Sequence, residues 1–134
     1  MDKSKIRIIT NPNSISFYYH STVSFDNYVL LFSLYSETYT LKRLTIPKYL
    51  GDEVVCNEML GFALKYLKEG LGMKMGYFSS YNGYKGTIEY DVDLGCYFGS
   101  FDHNDSKVNY QAESPLKLLE CFRKCVNGLV QLDV

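Results

Sequence analysis

The hydrophobic pattern of this chain changes period twice, and that constrains its fold more than any other feature. Short segments in which apolar residues alternate with polar ones give way to a stretch where they recur every three or four residues, and the same order then repeats. Alternation places every second side chain on one face of a strand, whereas the longer period gathers side chains on one face of a helix. A helix that follows antiparallel strands buries its apolar stripe against one face of their sheet. The order therefore predicts an α+β fold built from two β-meander-plus-helix halves, residues 1–72 and 73–134. The first half is a candidate diverged duplicate of the second.

In the first half, Lys5–Thr10 and Ser14–His20 alternate on either side of Asn11-Pro12-Asn13, the pattern of a hairpin. Asn27–Tyr35 carries the run Tyr28-Val29-Leu30-Leu31-Phe32 and reads as a central strand, with Thr38–Thr45 as its neighbour. Gly51–Glu69 reads as a helix, with Val55, Met59, Phe62 and Tyr66 on its apolar face. Asp52 and Glu53 suit the positive end of its dipole, and Gly70 suits a left-handed closing position.

The second half restarts at Met73–Ser80. A turn of the Asn-Gly type at Tyr81-Asn82-Gly83-Tyr84 precedes further strands at Lys85–Val92, Cys96–Phe101 and Lys107–Ala112. Ser114-Pro115 then opens the last helix, because the Ser side chain can cap free amides and Pro has no N–H to leave unsatisfied. Leu118, Phe122, Cys125 and Val126 form its inner stripe, and Gly128 marks its expected end before an apolar tail, Leu129–Val134.

Composition excludes several functional classes. A formal net charge of −1 gives no support to a protein held on nucleic acid by phosphate neutralisation, since such domains usually carry a basic face, although it leaves room for a local basic spot. The densest basic spot, Lys42, Arg43 and Lys48, reads as a solvated strand end. Met1-Asp2-Lys3-Ser4-Lys5 is charged and leads straight into a strand, so a cytoplasmic protein without membrane association is expected. Cys56, Cys96, Cys121 and Cys125 are too scattered for a disulfide framework. Cys121 and Cys125 share a helix, but no further Cys or His stands at ligand spacing, so no metal and no cofactor is expected.

The second half contains Tyr81-Asn82-Gly83-Tyr84-Lys85-Gly86-Thr87-Ile88-Glu89-Tyr90, then Gly95-Cys96-Tyr97-Phe98-Gly99, then Val108-Asn109-Tyr110-Gln111-Ala112-Glu113-Ser114. Leu118 to Val126 follow, with Phe122 and Val126 on the inner face. In this order and spacing, residues 75–130 resemble a HicB-like antitoxin domain. The resemblance implies a partial ribonuclease-H-like fold, three antiparallel strands and a helix, that lacks nuclease chemistry and neutralises a small toxin resembling double-stranded-RNA-binding domains by covering its active surface. It also implies self-association into a homo-oligomer. Members of that family place this domain first and follow it with a DNA-binding segment. Here the domain comes last, so direct DNA binding is not expected.

A nuclease reading rests on Glu89 and Asp91, two apart on one strand, with Asp93 and Asp102 in nearby turns. Two-metal chemistry needs more converging carboxylates, and the helix offers only Glu113 and Glu120. His20 and His103 have no Ser or Cys partner at a recognisable spacing, so no catalytic residue is assigned and the chain is read as a non-enzyme.

The function expected is therefore binding of a protein partner. Two classes fit: an antitoxin facing a toxin, or a small phage-type inhibitor of a bacterial defence system, such as an anti-CRISPR protein or a sponge for a nucleotide signal. Exposed Tyr beside Lys favours interfaces, which makes Tyr81, Tyr84, Lys85, Tyr90 and Tyr97 the candidate contact residues.

Overall fold

A computed structural model describes residues 1–45, 48 and 51–132. The chain divides into two compact units, Met1–Lys74 and Met75–Val134, each made of four antiparallel strands followed by a helix.

In the first unit a short 3-10 turn, Lys3–Lys5, leads into β1 (Arg7–Asn11), β2 (Ser14–His20), β3 (Asn27–Tyr35) and β4 (Thr38–Leu44). Each strand pairs with the next in an antiparallel meander, and β3 lies between β2 and β4 as its apolar run predicts. The β3–β4 register shifts at Leu31 and Phe32, a bulge that leaves Lys42 without a partner in the ladder. Ile15, Phe17, Leu30, Phe32 and Leu41 are buried from the strands. They meet Cys56, Met59, Leu60, Ala63 and Leu64 from α1 (Asp52–Lys65), also buried. Phe17 anchors this layer, with edge-on contacts to Phe32, Phe62 and Tyr66. The basic residues Lys42, Arg43 and Lys48 are exposed.

The start of α1 is fastened to β3 through a buried carboxylate. Asp52 accepts a hydrogen bond from the Tyr28 hydroxyl, and its other oxygen accepts from the Lys48 amide at 3.0 Å. Burial, with help from the Asp52 hydrogen bond, pushes the Tyr28 phenol up to about 12. Burial, with the Asp52 charge nearby, likewise raises the Cys56 thiol to about 11.

The end of the first helix departs from expectation. The α-helix stops at Lys65 and continues as one wider π turn over Tyr66–Gly70, which buries Leu67 completely. Gly70 stays within that turn. The left-handed closing residue is Gly72, at φ +68°, and beside it the Met73 amide bonds back to the Leu67 carbonyl at 3.0 Å.

The second unit contains β5 (Met75–Phe78), β6 (Thr87–Asp91), β7 (Cys96–His103), β8 (Ser106–Ala112) and α2 (Pro115–Leu132). Its strands also form an antiparallel meander. Ser114 caps α2 as expected: its hydroxyl accepts from the Lys117 amide at 3.4 Å and its carbonyl from Leu118 at 2.9 Å. The helix does not end at Gly128 but runs on to Leu132. A glycine inside a helix costs only about 1 kcal/mol, which continued apolar spacing offsets. The last two residues of the expected tail lie outside the described residues.

Phe122 is the centre of this core. It is fully buried, stacks on Phe78 at 5.7 Å, and meets Phe101 and Tyr110 at 5.6 Å each. Among the described residues, no helix is long and apolar enough to cross a membrane.

Candidate functional site

The sheet of the second unit has two unlike faces. Ile88, Phe101 and Tyr110 point toward α2, so the register also places Tyr90, Tyr97 and Gly99 on that side. The opposite face carries Glu89, Asp91, Cys96, Phe98, Asn109 and Gln111.

The five contact residues chosen from the sequence fall in three places. Tyr81 and Tyr84 close the turn expected between them by exchanging backbone bonds of 2.9 and 3.0 Å, with Asn82 and Gly83 at positive φ. Both rings fold back onto the core: Tyr81 lies edge-on to Phe122 and donates its hydroxyl to Asn127 at 3.0 Å. Tyr84 packs on Phe101 at 5.2 Å, and its hydroxyl is 2.7 Å from His103 Nδ1. Lys85 leans the other way, with its ammonium 4.4 Å from the centre of the Tyr77 ring. Tyr90 and Tyr97 face each other across β6 and β7, ring centres 4.7 Å apart. Burial, with Tyr90 alongside, raises the Tyr97 phenol.

Of these tyrosines, Tyr90 is the one strongly exposed, and it belongs to a group that alternation did not reveal. At the β6–β7 end of the sheet, Tyr90, Val92, Leu94 and Phe98 are 43%, 80%, 74% and 36% exposed. The turn explains why. Asp91 Oδ1 accepts the amides of Asp93 at 2.9 Å and Leu94 at 3.1 Å, Gly95 takes a positive φ, and its amide bonds to the Asp91 carbonyl at 2.8 Å. Held this tightly, the turn leaves Val92 and Leu94 no apolar surface to cover. The available signal was the apolar pair inside Asp91-Val92-Asp93-Leu94-Gly95, where polar residues alone would suffice.

Beside this turn, on the face away from α2, lies an open groove of about 520 Å³ lined by Asp91, Leu94, Cys96, Phe98, Asn109 and Gln111. The side-chain amides of Asn109 and Gln111 have no hydrogen-bond partner among the described residues.

The carboxylates weighed as metal ligands are spread out. Glu89 stands opposite Phe98, Asp91 caps its own turn, and Asp102 stands opposite Lys107. Among the described residues, no group of three His, Cys, Asp or Glu side chains is arranged to hold a metal ion. His103 is held between the Tyr84 hydroxyl and the Asn104 amide, in a turn whose Asn104 and Asp105 both adopt positive φ.

Compared with protein-family models, curated proteins and solved structures, the chain matches none.

Proposed function

We propose that the chain is a non-enzymatic binding protein of HicB-like antitoxin type, which neutralises a toxin partner by covering its active surface. The observation that carries this reading is the exposed apolar tip of Val92 and Leu94 on a rigid hairpin, with Phe98 beside it on the face away from α2 and Tyr90 on the other face. Single exposed apolar residues are ordinary, whereas several gathered at one turn and flanked by polar groups mark an interaction surface. The antiparallel strands β6, β7 and β8 followed by α2 are compatible with the three strands and a helix that the sequence resemblance implies, and β5 is one strand more.

Charge supports the same partner. From Gly86 to Gly99, around the β6–β7 turn, the chain has no Lys or Arg but carries Glu89, Asp91 and Asp93, while Asp102 and Asp105 stand at the other end of β7. A toxin that binds RNA presents a basic surface, and an acidic rim around apolar contacts is complementary to it.

A second reading, an inhibitor of a defence system that uses the same surface, is favoured by the first unit, which adds a sheet and helix that the antitoxin resemblance does not cover.

The experiment is capture followed by rescue. The tagged full chain is used to retrieve its partner from the source cell, and the partner is then expressed alone and together with the chain. An antitoxin restores growth that the partner alone arrests. A captured partner that does not arrest growth, or an arrest that the chain does not relieve, rejects the antitoxin reading; a captured component of a defence complex supports the second.

A further inference from the structure

The groove beside the β6–β7 turn has a composition that selects one kind of guest. It offers the aromatic face of Phe98, the aliphatic wall of Leu94, the carboxylate of Asp91 and the amide oxygens of Asn109 and Gln111. No Lys or Arg is among its described lining residues. We propose that this groove binds the guanidinium of an arginine presented by a protein partner, an inference that rests on the binding function above and specifies how the partner is held.

Each wall matches one property of that group. A guanidinium is planar and weakly hydrated, so it stacks on an aromatic ring at little desolvation cost. It carries only donors, arranged in a fork, and the groove supplies acceptors on two sides of the ring. Asp91 is suited to the charge. Its Oδ1 is fixed by the turn amides, which orient the carboxylate, and its Oδ2 has no partner among the described residues. Phe98 lies directly across from Gln111, and Asn109 follows two residues earlier on the same face of β8, so ring and amides form one continuous floor. A lysine ammonium lacks the plane that would use the ring and both amides together. A nucleotide has a base that could stack there, but its phosphate would meet the carboxylates of Asp91 and Glu89, while Lys107, on the same face of β8, stands opposite Asp102 and does not line the groove.

The test uses the full chain and a capped glycine peptide containing one arginine, with binding read by NMR at the Phe98 ring and the Asn109 and Gln111 side-chain amides. Saturable shifts confined to these protons are expected. Asp91→Asn keeps the oxygen that caps the turn and removes the charge, so it should weaken binding about tenfold, the scale of one charge-assisted hydrogen bond. Asp93→Asn removes the same charge from the exposed turn outside the groove and should change nothing. The same peptide with citrulline, a neutral isostere, should produce no shift. The proposal is overturned by silence at Phe98, by equal binding of the citrulline peptide, by equal losses in the two Asp variants, or by adenosine shifting these protons while the arginine peptide does not. Its failure is separable from failure of the antitoxin reading. If Asp91→Asn relieves toxicity as well as the parent chain, the groove is not the anchor although the antitoxin reading stands. If the parent chain relieves no toxicity, that reading falls while the peptide titration still decides the groove.

Discussion

The hydroxyl of Tyr110 on β8 donates to the carbonyl of Thr87 on β6, 2.7 Å away, and reaches it by crossing β7 at Gly99. Regular β6–β7 pairing runs from Asp91 and Cys96 to Glu89 and Phe98. Beyond that point side chains take over: the Ser100 amide donates to the Thr87 hydroxyl at 2.9 Å, and the Tyr110 hydroxyl takes the Thr87 carbonyl. Burial keeps the Tyr110 phenol protonated well above its ordinary range, as a buried donor requires.

That crossing fixes what Gly99 can be replaced by. A Cβ there would lie 2.0 Å from the Thr87 carbonyl and 2.7 Å from the Tyr110 hydroxyl. The nearer atom is backbone and cannot swing aside, so Gly99→Ala should cost at least the ~1–3 kcal/mol typical of overpacking. Tyr110→Phe leaves the space intact and removes one hydrogen bond, at about 1 kcal/mol. Denaturant midpoints at unchanged slope would rank Gly99→Ala as the more damaging, and the reverse order would show that β7 can shift away from β6.

These glycines also show where sequence reasoning stopped. Ser114-Pro115 and Asn82-Gly83 were legible because caps and tight turns are local: the residues that need each other are neighbours. Gly86 and Gly99 owe their identity to Tyr110 and Phe122, which reach them only after the chain has folded. Alternation separates the two faces of a strand such as β7, but it does not say which face α2 covers. Tyr90 and Tyr97 share a face with Ile88 and Phe101, and Phe98 has the opposite parity, so the groove opened beside the residue that had not been chosen. The end of α2 was misplaced because Gly128 has no close neighbour forcing a stop among the described residues.

Phe122→Ala should loosen or unfold the second unit. Phe122 touches Phe78, Tyr81, Phe101 and Tyr110 and is fully buried, so its removal leaves a cavity bounded by rings that cannot all collapse into it. A loss of about 3–5 kcal/mol is expected, comparable with the whole stability of a small domain. Near-ultraviolet circular dichroism and calorimetry would report it, and a melting temperature matching the parent would place the core elsewhere.

High pH should weaken the first unit. Tyr28 and Cys56 both have folded-state pKa values raised above their ordinary ones, to about 12 and about 11. A group whose pKa rises on folding favours the folded state while protonated. Its contribution is therefore complete below its unfolded pKa and is lost as pH rises toward the folded value. Stability should fall between the ordinary thiol range and about pH 12. Tyr28→Phe should flatten the upper part of that decline while lowering stability at neutral pH, because Asp52 loses a buried donor. Denaturation followed across this range would contradict the assignment if Tyr28→Phe and the parent declined in parallel.

Two sets of surface substitutions should separate packing from recognition. Tyr84 is half-buried, rests on Phe101 and bonds to His103, so Tyr84→Ala should lower the melting temperature whatever it does to binding. Val92 and Leu94 are held out by the turn with most of their surface in water, and changing both to Ser removes little that the folded state uses. That double variant should melt within the ordinary range of surface substitutions, about 0.5 kcal/mol from the parent. Its affinity for the partner should nonetheless fall by about tenfold or more, because fully burying a Val or Leu side chain is worth about 1.5–3 kcal/mol and Ser forgoes it. Calorimetric titration with the captured partner, alongside thermal melts of the same preparations, measures both quantities. Parental affinity in the double Ser variant would remove the β6–β7 tip from the interface and leave the exposed Val23 and Phe25 of the β2–β3 loop as the next apolar pair to test.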